Sequence, residues 1–333
     1  MNHLLVEIQS YPYRQRTFLR NIRIMSAGLL IFFALSGCDS RQTKEGDLSK
    51  RASVDKPAKD SADHDADILY FGFDVCSSPQ EDAKQYLPFL EYLQQATGLR
   101  IELRFTPKNS SMVDELCGGK FHFGAIGADT YLQAQARCDV VPLVRGLDSE
   151  GRAEYQSMII VAPDSPLQSL DELRGKTFAF GSVTSTQGHL IPRIVLAEMG
   201  ISLDDLAGYE FTGSHQKCAS AVAAGQFDAG GMQDILALRL VGSGLIRILH
   251  TSEFYPSSGI VASRNVHQDV RQKIKRALID FKPTGEHADG LYHWDRTEMA
   301  SGFGPAGDLD YADLREWSIK FGLLEISAEG EAP

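Results

Sequence analysis

Between Phe178 and Arg193 the chain reads FAFGSVTSTQGHLIPR, a short apolar run that breaks into a hydroxyl-rich turn and then a helical pattern. Ser182, Thr184, Ser185 and Thr186 supply hydroxyl donors, and a helix starting near Thr186 presents N–H groups that lack intrahelical acceptors. Those N–H groups sit at the positive end of the helix dipole, so the turn suits a phosphate, phosphonate or sulfonate. The same residues also make an ordinary helix N-cap, and both readings stand at this point. His189, one turn beyond Ser185, would share its face on a regular helix. Pro192 cannot donate to the carbonyl of Gly188, so the helix is expected to kink or to start late.

Enzyme chemistry finds little support. RGKT at Arg174 to Thr177 has Leu170 where a phosphate-binding loop needs its upstream glycine, and there is no H-E-x-x-H, G-x-S-x-G or suitable G-x-G-x-x-G. Cys218 lies three residues after His215 and would share a helix face with it, as a thiol nucleophile would, although a small buried cysteine has the same pattern. His293-Trp294-Asp295 is a poor spacing for a metal site. No cofactor is called for.

The N-terminus places Arg14, Arg16, Arg20 and Arg23 before the apolar run Ile24 to Leu35, too short to span a bilayer and built like a secretion signal. It ends in Leu35-Ser36-Gly37-Cys38, which resembles a bacterial lipobox, so Cys38 is expected to carry lipid; a simple transmembrane anchor is the alternative. Asp39 resembles the signal that retains lipoproteins in the inner membrane. Residues 1–37 contain four arginines and one glutamate, a net of +3, so the formal charge of −11 becomes −14 without them. That charge argues against nucleic acid as a partner. Residues 38–67 hold almost no large apolar side chains and are expected to form a tether.

From Ile68 short apolar runs alternate with amphipathic helices: ILYFGF, Gln80 to Thr97, RIELRF, Ser110 to Leu116, FHFGAI, Asp129 to Arg137, VVPLVR. Tyr86, Phe89, Leu90 and Leu93 form an inward stripe at helical spacing. After Ser157 to Val161 and a turn-rich passage the alternation restarts with TFAF, and IVAS near Ile260 resumes the first pattern. Two α/β lobes with right-handed crossovers follow, lobe one over residues 68–160 plus 255–325, lobe two over 161–254, and a tail over 326–333. The chain crosses between them twice, which describes a clamp with paired hinge strands and a ligand between the lobes. Besides Cys38 there are Cys76, Cys117, Cys138 and Cys218, which allow three full pairings. Cys117 and Cys138 each follow a helix and precede a strand on one edge of a parallel sheet, which favours that pair, free buried thiols being the alternative.

Two further windows, HFGAIGADTYLQAQAR from His122 and FTGSHQKCASAVAAGQFDAGGMQD from Phe211, put small residues at a strand end before a helix. Together with FTP at Phe105 to Pro107, STQGHLIP at Ser185 to Pro192, GSH at Gly213 to His215 and AVAAGQFDAG at Ala221 to Gly230, they carry a resemblance. The chain from about Ile68 to Phe321 resembles the periplasmic phosphate/phosphite/phosphonate-binding proteins of ABC importers. The resemblance implies a type II-like two-lobed α/β fold, a small oxyanion ligand held by Ser185, Thr186 and Gln187 with Thr184 nearby, and His215 lining the pocket. Gln187 stands where the family has a hydroxyl residue, contributing its amide instead. Asn109 and Ile126 stand where the family places tyrosines, with Tyr131 nearby. Of the acidic residues that hold an ammonium group, Asp234 is the sole counterpart near Gly230, and Ser257 and Ser258 replace those near Tyr255. The implied protein is monomeric, lacks enzymatic activity, and partners an ABC permease, or alternatively a membrane sensor.

Overall fold

The computed structural model describes residues 68–74 and 79–324. The signal segment, Cys38, the tether and Cys76 lie outside them. The chain begins with β1 (Ile68–Phe73), α1 (Pro79–Thr97), β2 (Arg100–Leu103), α2 (Met112–Cys117), β3 (Phe123–Ile126), α3 (Ala128–Cys138) and β4 (Val141–Gly146). A short β5 (Glu154–Tyr155) leads to β6 (Ser157–Val161), β7 (Thr177–Phe180), α4 (Ile191–Glu198), β8 (Gly208–Phe211), α5 (His215–Ala223), β9 (Ala229–Gln233), α6 (Asp234–Gly242) and β10 (Arg247–Thr251). The return passes through β11 (Tyr255–Pro256) to β12 (Gly259–Ala262), α7 (Gln268–Asp280), β13 (Phe303–Pro305) and α8 (Ala312–Lys320). Among the described residues no helix is long and apolar enough to cross a membrane.

Two sheets result, ordered β13-β4-β12-β3-β1-β2 and β10-β6-β9-β7-β8. The parallel sheet expected from strand-helix alternation is instead mixed in both lobes. β1 pairs parallel with β2 and β3, and β7 with β8 and β9, but β12 and β6 enter antiparallel. Each of those two strands arrives from the other lobe and reaches its sheet without a crossover helix, so it runs against its neighbours. The boundary of lobe two also shifts: Ser157–Val161, assigned above to lobe one except for its last residue, pairs with β9 and β10 in the second sheet. Its SMIIV stretch is buried throughout and would suit either core, so local sequence does not choose its sheet. The crossings themselves are β5 and β11, paired antiparallel with Tyr155 opposite Tyr255.

Lobe one is held by an aromatic core in which Phe89 of α1 meets Phe281 at 5.2 Å and Trp294 at 5.0 Å. The expected stripe on α1 thus faces inward. Cys117 at the end of α2 and Cys138 at the end of α3 are joined by a disulfide. In lobe two, α4 packs so close to β9 that a Cβ on Gly231 would lie 2.4 Å from Cγ of Pro192. This contact seats the start of α4, and the hydroxyl turn before it, against the sheet.

Candidate functional site

After β7 the Gly181 N–H donates to the Gly188 carbonyl at 2.8 Å, folding the hydroxyl turn back over the strand end. Residues Thr186–Leu190 form a π-helical turn closed by the Ile191 N–H on the Thr186 carbonyl, and α4 begins only afterwards with Pro192 in its first turn. The helix therefore starts late, as the proline requires. Ser185 caps the turn, its Oγ accepting from the Gly188 N–H at 2.9 Å. No described acceptor takes the N–H groups of Thr186 and Gln187. Gly188 cannot carry a side chain, since a Cβ would lie 2.8 Å from Ser185 Oγ and 2.9 Å from His215 Cε1.

His215, at the start of α5, accepts from the Gln233 N–H through Nδ1 at 3.3 Å. The ring proton is therefore on Nε2, which lies 3.5 Å from Ser185 Oγ. Burial lowers the His215 pKa to about 4, so near neutral pH the ring is an uncharged donor. Thr186 reaches the other lobe, its Oγ1 accepting from the Asp129 N–H at the start of α3 at 2.8 Å. Gln187 Nε2 donates to the Gln156 carbonyl at 2.7 Å and to Asp234 Oδ1 at 3.2 Å.

These residues line a cavity of about 230 Å³ between the lobes. Of the sequence-derived candidates, Thr184, Ser185, Thr186, Gln187, His215 and Ser258 border it. Asp234 does not; it accepts from the Gln156 and Ile235 N–H groups and fixes Gln187 from behind. His189 is also absent from the cavity wall. Its N–H still bonds the Ser185 carbonyl four residues back, but its ring packs on Phe180 and Phe211 with Nδ1 on the Val183 carbonyl. Tyr131 is buried in lobe one, its ring tilted against that of Tyr311 and its hydroxyl donating to Asp308.

Among the wall residues that sequence reasoning passed over are Asp74, Tyr155 and Glu298. Desolvation raises Asp74 to about 6 against the opposing Gly127 N–H, and raises Glu298 to about 7 against the opposing Ser258 hydroxyl. Arg296 borders the same cavity. Asp74, at the C-terminal end of β1, and Tyr155, on the crossing strand, occupy places that strand-end logic could have flagged. Glu298 lies in an irregular segment with no local signal.

The thiol of the Cys218 pattern does not reach the cavity. Cys218 is buried beneath the sheet with its thiol pushed up to about 12 and directed at the Ala179 and Gly231 carbonyls, away from the cavity. Among the described residues no group of three His, Cys, Asp or Glu side chains could hold a metal ion.

The family model described as ABC transporter, phosphonate, periplasmic substrate-binding protein matches residues 71–311. The Phosphonates-binding periplasmic protein of Escherichia coli (strain K12) is 26% identical over 268 residues, 78% of each chain. Among solved structures, PhnD1 from Prochlorococcus marinus (MIT 9301) in complex with methylphosphonate is similar with a TM-score of 0.70 at 18% identity, over 78% of this chain and 99% of that one. The alkanesulfonate-binding protein SsuA from Xanthomonas axonopodis pv. citri bound to MOPS is similar at TM-score 0.54 and 22% identity, over 77% and 93%. The two structural likenesses establish the two-lobed solute-binding fold, and the family match spans most of the chain. The protein therefore belongs to the periplasmic substrate-binding proteins of phosphonate ABC transporters, a family of binding proteins rather than enzymes.

Proposed function

We propose that the cavity between the lobes captures a small phosphorus oxyanion, whether phosphate, phosphite or a phosphonate, for delivery to an ABC importer, and that the protein catalyses nothing. The observation that carries this reading is the convergence of uncharged donors on one spot: the Ser185 hydroxyl, His215 Nε2–H, and the N–H groups of Thr186 and Gln187. Such donors hold an anion at a helix start without needing a lysine. The chemistry agrees with the phosphonates named for the Escherichia coli relative and the methylphosphonate in PhnD1. Asp74 and Glu298 on the facing wall accept hydrogens, which suits a ligand that carries a P–OH or N–H group. Closure over the ligand supplies the form that a permease recognises.

Cys38 anchors the monomer to the inner membrane through lipid, with residues 39–67 as the tether. A thermal-shift screen of phosphate, phosphite, methylphosphonate, methanesulfonate and sulfate tests the reading, since a ligand that binds the folded state raises its melting temperature. Phosphorus oxyanions should raise it. A response to sulfate and methanesulfonate alone, or to none of the five, would sink the reading.

A further inference from the structure

Tyr155 has a buried hydroxyl without a partner. The residue is 4% exposed, and its hydroxyl oxygen makes no hydrogen bond among the described residues. Buried polar atoms are nearly always paired, because leaving one unmade forfeits its hydration. The ring stands on the cavity wall with Ser185 and His215, close to the Thr186 side chain that bridges the lobes. Burial and nearby Glu298 keep the phenol protonated against the opposing Thr186 hydroxyl and Ala128 N–H, neither of which makes a hydrogen bond of good geometry with it, so it has a hydrogen to give. Tyr155 also sits on β5, one of the two strands by which the chain crosses between lobes.

We propose that Tyr155 is a ligand-binding residue, whose hydroxyl donates to an oxygen of the bound oxyanion and so ties occupancy of the cavity to the hinge. This rests on the oxyanion reading above. An oxygen in that place satisfies this buried hydroxyl of the cavity wall, while a ligand presenting a carbon there would leave it unmet. The bound anion is thus oriented with its substituent away from β5. Thr186 and Tyr155 then meet the same ligand from lobe two and from the hinge, and filling the cavity favours the closed arrangement.

The test compares wild-type protein with Tyr155→Phe, measuring Kd for methylphosphonate, phosphite and phosphate, together with the melting temperature of each protein without ligand. Phe keeps the ring and removes an unpartnered atom, so the ligand-free variant should melt no lower than wild type. Its Kd should rise about 10-fold for whichever of the three anions the wild type binds, the value of one hydrogen bond to a charged group. An unchanged Kd would overturn the proposal, and so would a lower melting temperature without ligand, which would show that the hydroxyl serves the protein or a buried water. If wild-type protein binds none of the three anions, the oxyanion reading falls and the proposal falls with it. Equal binding by both proteins removes the proposal alone.

Discussion

Ser185→Ala separates the two roles that one hydroxyl fills. Its oxygen already accepts from the Gly188 N–H at 2.9 Å, which is a cap, and its hydrogen is free for a ligand within reach of His215 Nε2. Losing the cap costs about 1 kcal/mol of folding stability, which for a chain of this size lowers the melting temperature by roughly 2–4 °C. Losing a hydrogen bond to a charged ligand costs a further ~1.5–3 kcal/mol of binding, on the order of 10- to 100-fold in Kd. Calorimetric titration with methylphosphonate and melting of the ligand-free protein read the two effects apart. Ser185→Asp sharpens the test, because aspartate caps as well as serine but brings negative charge to the anion's place. That variant should melt near wild type and bind no oxyanion. If Ser185→Ala melts lower by the full cap and binds every oxyanion as before, Ser185 is a cap only and the anion is held elsewhere.

Gly188→Ala should abolish binding while the protein stays folded, because the new methyl collides with both Ser185 and His215; titration with methylphosphonate and a melting curve check it. His215 has a folded pKa lowered to about 4 from an ordinary value near 6.5, so its contribution to stability is complete above about pH 6.5 and lost as pH falls toward 4, by up to about 3 kcal/mol. His215→Gln should remove that part of the acid slope in urea melts between pH 4 and 7; Asp74 and Glu298, raised on folding, push the opposite way and are common to both proteins. The double variant Cys117→Ala/Cys138→Ala, opening a link between residues 21 apart, should cost about 3 kcal/mol in denaturant unfolding and leave Kd unchanged, since neither cysteine borders the cavity. Cys38→Ser should move the protein from the membrane fraction to the soluble periplasm, which fractionation and immunoblotting would detect.

What was legible from the sequence was local. Strand-helix alternation specified two α/β lobes, and the hydroxyl turn at Ser185 to Gln187, with Gly213 to His215, marked the donor side of the cavity because such donors come from contiguous residues at strand ends. Pro192 announced the late start of α4. What tertiary structure decided was whatever depends on pairing across distance. β6 and β12 are plain apolar runs, and only their hydrogen-bonding partners place them antiparallel in their sheets. His189 stands off the cavity because its ring packs on Phe180 and Phe211, partners that lie on other strands and that its spacing from Ser185 does not reveal. Tyr155 and Glu298 stand 143 positions apart along the chain, and no window of sequence holds both. They share one cavity because the crossing strands and the segment before β13 are folded against it, and a raised carboxylate or an unpaired hydroxyl exists only once water has been excluded from around it.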